Sequence, residues 1–362
     1  MNESKYQKLH VVSCDPGNGG TNSVIIPNGK PKFDYFPSVR AQSLAVDLGN
    51  VGMDTLKYET YGWYGQQYVV GNDVVTVTGR ALERHQGRNR YGNEFHAFLV
   101  MTALSRLGVP DGEVVLTLFA PPGMYQDAKK AIKRRFEGKT FELTSRHGKR
   151  RHTWEVVKVN TVPEGVGAAA VLAFDNYGQP VNAELLAGRV ALIDVGAYTT
   201  DVLVLENGAL NPESIGHATL ANAGIRAHVI EPVLADLHAQ APDLAYVGID
   251  HIDMLLQNST RSRTLETGGY TIDLKDDLEH RFELFAGWLA NNVIDTQLNG
   301  LDDFNRLILV GGGALMVGKY IQRWYKAKYA DLSSDPQTKG IHPAYFNVVG
   351  GARMTLNQLQ GV

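Results

Sequence analysis

Two aspartates stand where an apolar run meets a glycine turn: Val11-Val12-Ser13-Cys14-Asp15-Pro16-Gly17 and Val190-Ala191-Leu192-Ile193-Asp194-Val195-Gly196. An ionised carboxylate at the end of a buried strand is costly unless a cation or hydrogen-bond donors satisfy it. A tight turn presents backbone N–H groups beside it, a combination suited to a phosphate and its divalent cation. After the first aspartate come Gly17, Asn18, Gly19, Gly20, Thr21 and Asn22, and after the second Gly196, Ala197, Tyr198, Thr199 and Thr200. The glycines allow close backbone approach to phosphate oxygens, and the threonines add hydroxyl donors. Either aspartate alone could be a turn residue capping its own backbone; the duplication favours a site in which two similar lobes grip one polyphosphate.

Two further places could take part. Glu164, in Pro163-Glu164-Gly165-Val166-Gly167, could orient a water toward a terminal phosphate, or be a first-turn helix acid favoured by the macrodipole. Gly311, Gly312, Gly313 and Ala314 follow an apolar run and open a helix, a place for a flat base or an α-phosphate against bare backbone; the alternative is a close-packed strand-to-helix turn. Two other phosphate signatures fail. Gly138-Lys139-Thr140 resembles the end of a P-loop, but Lys133 stands where its first glycine is required. Gly165-x-Gly167-x-x-Ala170 resembles a dinucleotide fingerprint, but Pro163 and Glu164 intrude between strand and glycines.

The elements that must position these residues follow an α/β rhythm. Short strands are expected over 33–40 and 58–70, with a loop between them. An amphipathic helix is expected over 94–107, where Phe95, Phe98, Leu99, Thr102 and Ala103 share a stripe, then a strand over 113–119, a basic helix over 125–136 and a hairpin over 141–162. The basic tip of that hairpin, 145–152, reads as a solvated turn or a docking site; His147 and His152 lack companions for a metal set. The second half predicts helices over 223–238, 251–257 and 276–298, a hairpin over 265–274, a strand over 306–310 and a helix over 317–328. It closes with a strand over 346–349, a Gly350-Gly351 break and a last helix.

At 362 residues the chain is too long for one core and is expected to form two domains. Its 44% hydrophobic and 20% charged residues are those of an ordinary soluble globular protein. A net charge of −3 gives no general attraction to nucleic acid or anionic membrane. The one cysteine, Cys14, excludes an internal disulfide and reads as a small core residue. Neither an apolar signal core in MNESKYQKLH nor a run of membrane-spanning length is present, so the cytoplasm is the expected compartment.

Taken in order, DPGNG at 15–19, FPS at 36–38, YVVG at 68–71, APPGMY at 120–125, PEGVGA at 163–168, DVGAYTTD at 194–201, GGGA at 311–314 and NVVGGAR at 347–353 resemble the actin, sugar-kinase and heat-shock-chaperone ATPase superfamily. Within it, the chain is most similar to the bacterial actin-like proteins of the plasmid-segregation type, ParM and its relatives. The resemblance implies a two-lobed α/β actin-like ATPase fold, each lobe on a ribonuclease-H-like mixed sheet, with the nucleotide in a cleft between lobes. It implies domain I over 1–162 plus 346–362, with a small peripheral subdomain at about 33–92, and domain II over 163–345, with an insertion at about 224–300. Asp15 and Asp194 would hold a hydrated Mg²⁺, Glu164 would position the hydrolytic water, and Gly311 to Gly313 would face base and sugar of ATP or GTP. Many relatives carry a lysine late in the first hairpin where this chain has Asn22; Lys30 or Arg40 could substitute. The implied behaviour is nucleotide-driven assembly into polar filaments that segregate plasmid DNA through a DNA-binding adaptor. A small-molecule kinase and a chaperone-type nucleotide-gated binder of the same fold remain as alternatives.

Overall fold

The computed structural model describes residues 9–43, 58–71, 74, 82–85, 88–145, 150–257 and 263–361. The chain divides into two units, Met1–Asn182 with Tyr345–Val362, and Ala183–Ala344.

In the first unit, β1 (His10–Pro16) turns back antiparallel into β2 (Gly20–Ile25), which pairs with β3 (Lys32–Pro37). On its other side β1 runs parallel to β7 (Gly112–Ala120), and β7 parallel to β9 (Arg150–Pro163). The sheet continues through β8 (Lys139–Ser145), β5 (Thr60–Trp63) and β6 (Gln66–Val69) to β4 (Ala41–Gln42). The described part of the stretch expected as a peripheral subdomain therefore adds strands to the main sheet, with a small satellite core of Val39, Ala41, Val69 and Val74.

The sheet's two-residue period decides what covers each face. Val12, Cys14, Leu116 and Leu118 pack in one core with α1 (Glu94–Leu107) and with Ala128, Ile132 and Phe136 of α2 (Tyr125–Phe136). Residues that alternate with them, Ser13, Thr117 and Phe119, meet α8 (Phe346–Gln360), where a Cβ on Gly351 would come 2.5 Å from Phe119 Cζ. The expected strand over 346–349 is instead the first turn of α8, and Gly350-Gly351 lies inside that helix. These glycines permit contact rather than break the helix, since a Cβ on Gly350 would overlap the Gly167 carbonyl of α3 (Val166–Ala173). This contact also corrects the expected domain boundary: 163–182 belongs with the first unit because α3 packs on α8.

The second unit repeats the plan. β10 (Arg189–Val195) pairs antiparallel with β11 (Thr199–Glu206) and parallel with β16 (Arg306–Val310), while β12 (Ala209–Leu210) and β13 (Thr219–Ala221) flank β11. A parallel bridge from Leu307 to Tyr329 extends the sheet past β16. Ala191, Ile193, Val195, Val202, Leu307 and Leu309 face a core built with α4 (Glu231–Gln240), α5 (Ile249–Gln257), α6 (Lys275–Trp288) and α7 (Ala314–Trp324). A separate hairpin, β14 (Thr264–Thr267) and β15 (Tyr270–Asp273), lies in this unit. The helix expected over 223–238 opens as a π-turn at Arg226–Ile230, its Glu231 N–H bonding five residues back to Arg226. Pro232 follows with no N–H to donate, so the ordinary i to i−4 ladder is interrupted there.

His96 of α1 is buried, accepts the Gly92 N–H on Nδ1 at 3.1 Å, and lies edge-on to Phe136. Burial, aided by the charges of Arg90 and Arg135, pushes its pKa down to about 3. The unfolded chain takes up a proton near pH 6.5 that the folded one refuses, so this contribution is constant above that pH and declines as pH falls toward about 3. Urea unfolding at pH 7.5 and 5.5 is expected to show an acid-induced loss about 1.4 kcal/mol larger for the native chain than for His96→Gln. Equal losses would remove the assignment.

Candidate functional site

The two Asp-x-Gly turns are built alike, each within its own unit. In the first, Asp15 pairs across the hairpin with Asn22 and Pro16 with Thr21; in the second, Asp194 pairs with Asp201 and Val195 with Thr200. Each turn spans Gly17 to Gly20 or Gly196 to Thr199, and in each the first glycine has no space for a side chain. A Cβ would lie 2.9 Å from the Gly20 carbonyl in one and 3.0 Å from that of Thr199 in the other. Asp15 alternates with Cys14, which faces α1, so its carboxyl belongs to the opposite sheet face, the one covered by α8. Asp194 alternates likewise with Ile193 and Val195 and is nearly buried, as is Asp201.

Not every glycine serves close ligand approach. Gly20 makes room for the Tyr35 ring, whose Cζ would lie 2.5 Å from an added Cβ. Thr21 is buried, its hydroxyl 3.0 Å from that of Ser38, while the Ser38 N–H donates to the Gly19 carbonyl at 3.2 Å. Ser38 thus staples the turn from β3's end, and it lies in the FPS segment. Asn18 Oδ1 and the Pro16 carbonyl both accept hydrogen bonds from Arg90, a buried side chain from a segment more than 70 residues away. Nothing in the local sequence marks Arg90, because its partners are remote along the chain. Asn22 Oδ1 is buried and, among the described residues, has no hydrogen-bond partner.

The two cations expected to substitute for a lysine at position 22 lie elsewhere. Arg40 is buried between Glu83 at 2.7 Å and Glu94 at 2.7 Å, its guanidinium 4.1 Å from the Tyr68 ring centroid. Lys30 follows the Ile25 end of β2, whereas the turn opens at the Gly20 end.

Glu164 directly follows β9, and its N–H donates to the Ala120 carbonyl at the end of β7, 2.9 Å away. The next residue, Gly165, has φ +83° and caps α3 without a side chain of its own. Asn347 of α8 does the capping: its Oδ1 accepts from Gly165 N at 2.9 Å and Ala168 N at 3.1 Å. Asp15 and Glu164 therefore stand at the carboxyl ends of parallel strands, the edge where open α/β sheets bind ligands. With two strand spacings between them, β1 and β9 lie about 10 Å apart.

In the second turn, the Tyr198 hydroxyl accepts from Arg226 at 2.7 Å, and the backbone N–H groups of Ile225 and Arg226 donate to the carbonyls of Gly196 and Ala197 at 3.1 and 2.8 Å. Thr200 is buried and donates to the Ala223 carbonyl; Thr199 and Thr219 donate to Asp201 at 3.5 and 2.5 Å. Gly311 has φ +84°, and a Cβ there would overlap Asp194 Oδ1. Gly313 is tight against Val195 and Ile225, its N–H bonded to the Val195 carbonyl at 2.9 Å. Gly311 and Gly313 thus fit the close-packed reading of this turn, while Gly312 has nothing nearer than Ala344 Cβ at 3.9 Å; Ala314 begins α7. The basic tip of the β8–β9 hairpin, 146–149 with His147, lies outside the described residues. His152 is buried in β9, 3.1 Å from Ser145 Oγ and 3.2 Å from Asp111 Oδ1. No described helix is long and apolar enough to cross a membrane.

Residues 14–167 match the family model described as actin like proteins N terminal domain, and residues 192–323 match the archaeal actin homologue MreB-like C-terminal model. No curated protein sequence matches the chain. Among solved structures, the archaeal actin homolog Ta0583 in complex with ADP is 20% identical with a TM-score of 0.74, over 96% of this chain and 99% of that one. The apo psk41 ParM protein is 18% identical with a TM-score of 0.65, over 98% of each chain. Bacillus thuringiensis ParM with ATP is 15% identical with a TM-score of 0.65, over 98% and 99%.

Removing the Asn347 amide would leave two N–H groups at the start of α3 without their acceptor. Asn347→Ala is expected to lower the urea-unfolding free energy by about 1–2 kcal/mol. An unchanged unfolding midpoint would show that another group takes over the cap.

Proposed function

Because this chain belongs to the actin-like proteins and is ParM-like, we propose that it binds and hydrolyses a Mg²⁺-bound nucleoside triphosphate and that the nucleotide state controls its assembly into polar filaments. The observation that carries this reading is the duplicated turn: Asp-x-Gly in the same cross-strand register in each unit, with the carboxylate at the strand end. Among the described residues no three His, Cys, Asp or Glu side chains converge on a protein-only metal site. That suits Mg²⁺, which keeps several waters and is held through one or two carboxylates and the substrate's phosphates. When bound, the ion supplies charge neutralisation for the β- and γ-phosphates.

In this reading Asp15 and Asp194 would hold the hydrated ion through its waters, and the N–H groups of 18–20 and 197–199 would hold phosphate oxygens, those of Gly17 and Gly196 being bonded within their own turns. Gly312, where an added Cβ would meet only Ala344 Cβ at 3.9 Å, would face the nucleoside, and Glu164 would hold the attacking water in line. ATP is the first choice of nucleotide, in keeping with the ADP and ATP complexes of similar folds. The role we assign is a cytoplasmic filament that moves plasmid DNA through a DNA-binding adaptor, since a net charge of −3 offers no general attraction to DNA itself.

Sedimentation with Mg-ATP, Mg-GTP and non-hydrolysable analogues tests the assembly. Pelleting should require a triphosphate; if nothing pellets while a sugar or polyol stimulates ADP release, a small-molecule kinase replaces this reading. Glu164→Ala is expected to assemble normally yet slow phosphate release by about 100-fold or more, and loss of nucleotide binding in that variant would mark the residue as structural. Asp194→Ala should abolish Mg-dependent hydrolysis, and an unaffected rate would remove Asp194 from the site.

A further inference from the structure

Neither phosphate turn contains a cation of its own: 16–22 reads Pro-Gly-Asn-Gly-Gly-Thr-Asn and 195–201 reads Val-Gly-Ala-Tyr-Thr-Thr-Asp. An arginine from another segment is hydrogen-bonded to each. Arg226, beside the second turn, also pairs with Glu231 at 2.8 Å. Arg90, beside the first, differs in two respects. It is buried, with 6% of its surface exposed, and among the described residues no carboxylate pairs with it. Its charge is met by two neutral acceptors, the Pro16 carbonyl and Asn18 Oδ1, and by the Tyr91 ring, whose centroid is 4.9 Å from its Cζ.

A guanidinium keeps its proton in any protein setting, so burial cannot relieve it by neutralisation. Holding it away from water without a counter-charge is expensive, and the expense is recovered when an anion arrives at the turn it braces. On the same hairpin, Asn22 Oδ1 is buried and has no partner among the described residues. Two polar groups at this hairpin are thus left short of partners, Arg90 of an anion such as a phosphate and Asn22 Oδ1 of a donor such as a phosphate-bound water.

We propose that Arg90 is the cationic positioning residue of the first phosphate turn, fixing Pro16 and Asn18 and supplying the positive charge that the turn lacks, so that affinity rises with the number of phosphates on the ligand. The inference rests on the nucleotide-binding reading above. It separates a charge role from simple bracing: loss of bracing would weaken every nucleotide alike, whereas loss of charge weakens polyphosphates most.

The test is calorimetric titration of the full chain with ATP, ADP and AMP in Mg²⁺, comparing the native protein with Arg90→Gln and Arg90→Lys. Arg90→Gln is expected to weaken ATP binding about 10- to 100-fold and AMP binding by less than about 3-fold, with Arg90→Lys recovering most of the loss for ATP. Equal weakening of ATP and AMP, or an unchanged ATP affinity, would overturn the proposal. If Arg90→Gln fails to fold, inorganic tripolyphosphate decides: it should raise the thermal midpoint of the native chain, and the absence of any shift rejects the charge role. A native chain that binds none of the three nucleotides would instead refute the proposed function, and the Arg90 role with it.

Discussion

Strand pairing register is the constraint on which the rest depends. A carboxylate two residues before a glycine can point anywhere until the hairpin fixes it. Pairing Asp15 with Asn22 and Asp194 with Asp201 puts each aspartate on the face away from the α1 or α7 side, one rung before the last pair that precedes the turn. A slip by one residue would reverse both faces and bury the acids in the apolar layer. The two hairpins are not equal, however. In the second, two carboxylates face each other across the strands, an arrangement that is unfavourable unless donors or cations intervene. Hydroxyls of Thr199 and Thr219 serve Asp201. In the first, a neutral Asn22 stands opposite the aspartate, and Arg90 is bonded to the neighbouring Pro16 carbonyl.

Clearance is the second theme. Glycines at positions that look like ligand-facing punctuation are often there because a neighbour occupies the volume. Gly311 leaves room for the Asp194 carboxyl, Gly20 for the Tyr35 ring, and Gly350 for the backbone of α3. These clearances set where a turn, a carboxylate or a helix can lie. Substitution at Gly311 would add backbone strain at φ +84° to the steric overlap, so its constraint is twofold.

Much of this was legible in the residues. The Asp-x-Gly duplication, α1, α2 and β16 follow from periodicity and punctuation, because they are decided by contacts within a short window. What the sequence concealed has a common physical origin in long-range packing. Gly350-Gly351 looked like a break, but its meaning depends on Gly167, which is far away along the chain. The cap of α3 sits on another helix, and the brace of the first turn comes from Arg90, whose segment carries no local signature. Arg40 looked available and is enclosed by Glu83 and Glu94 instead. The motif order that resembles ParM points to the right fold because it samples segments far apart in the chain, among them those of Gly167 and Asn347.

The capping of α3 by Asn347 bears on how the polypeptide is made. The first unit takes its β-strands and α3 from residues before 182, but the helix that covers one face of its sheet, and the amide that satisfies the start of α3, come from residues after 345. A nascent chain leaving the ribosome therefore carries that sheet half uncovered throughout translation of the whole second unit. The later-made unit can complete its own core first, and the earlier-made one is sealed last, so in the growing chain the order of maturation runs opposite to the order of synthesis.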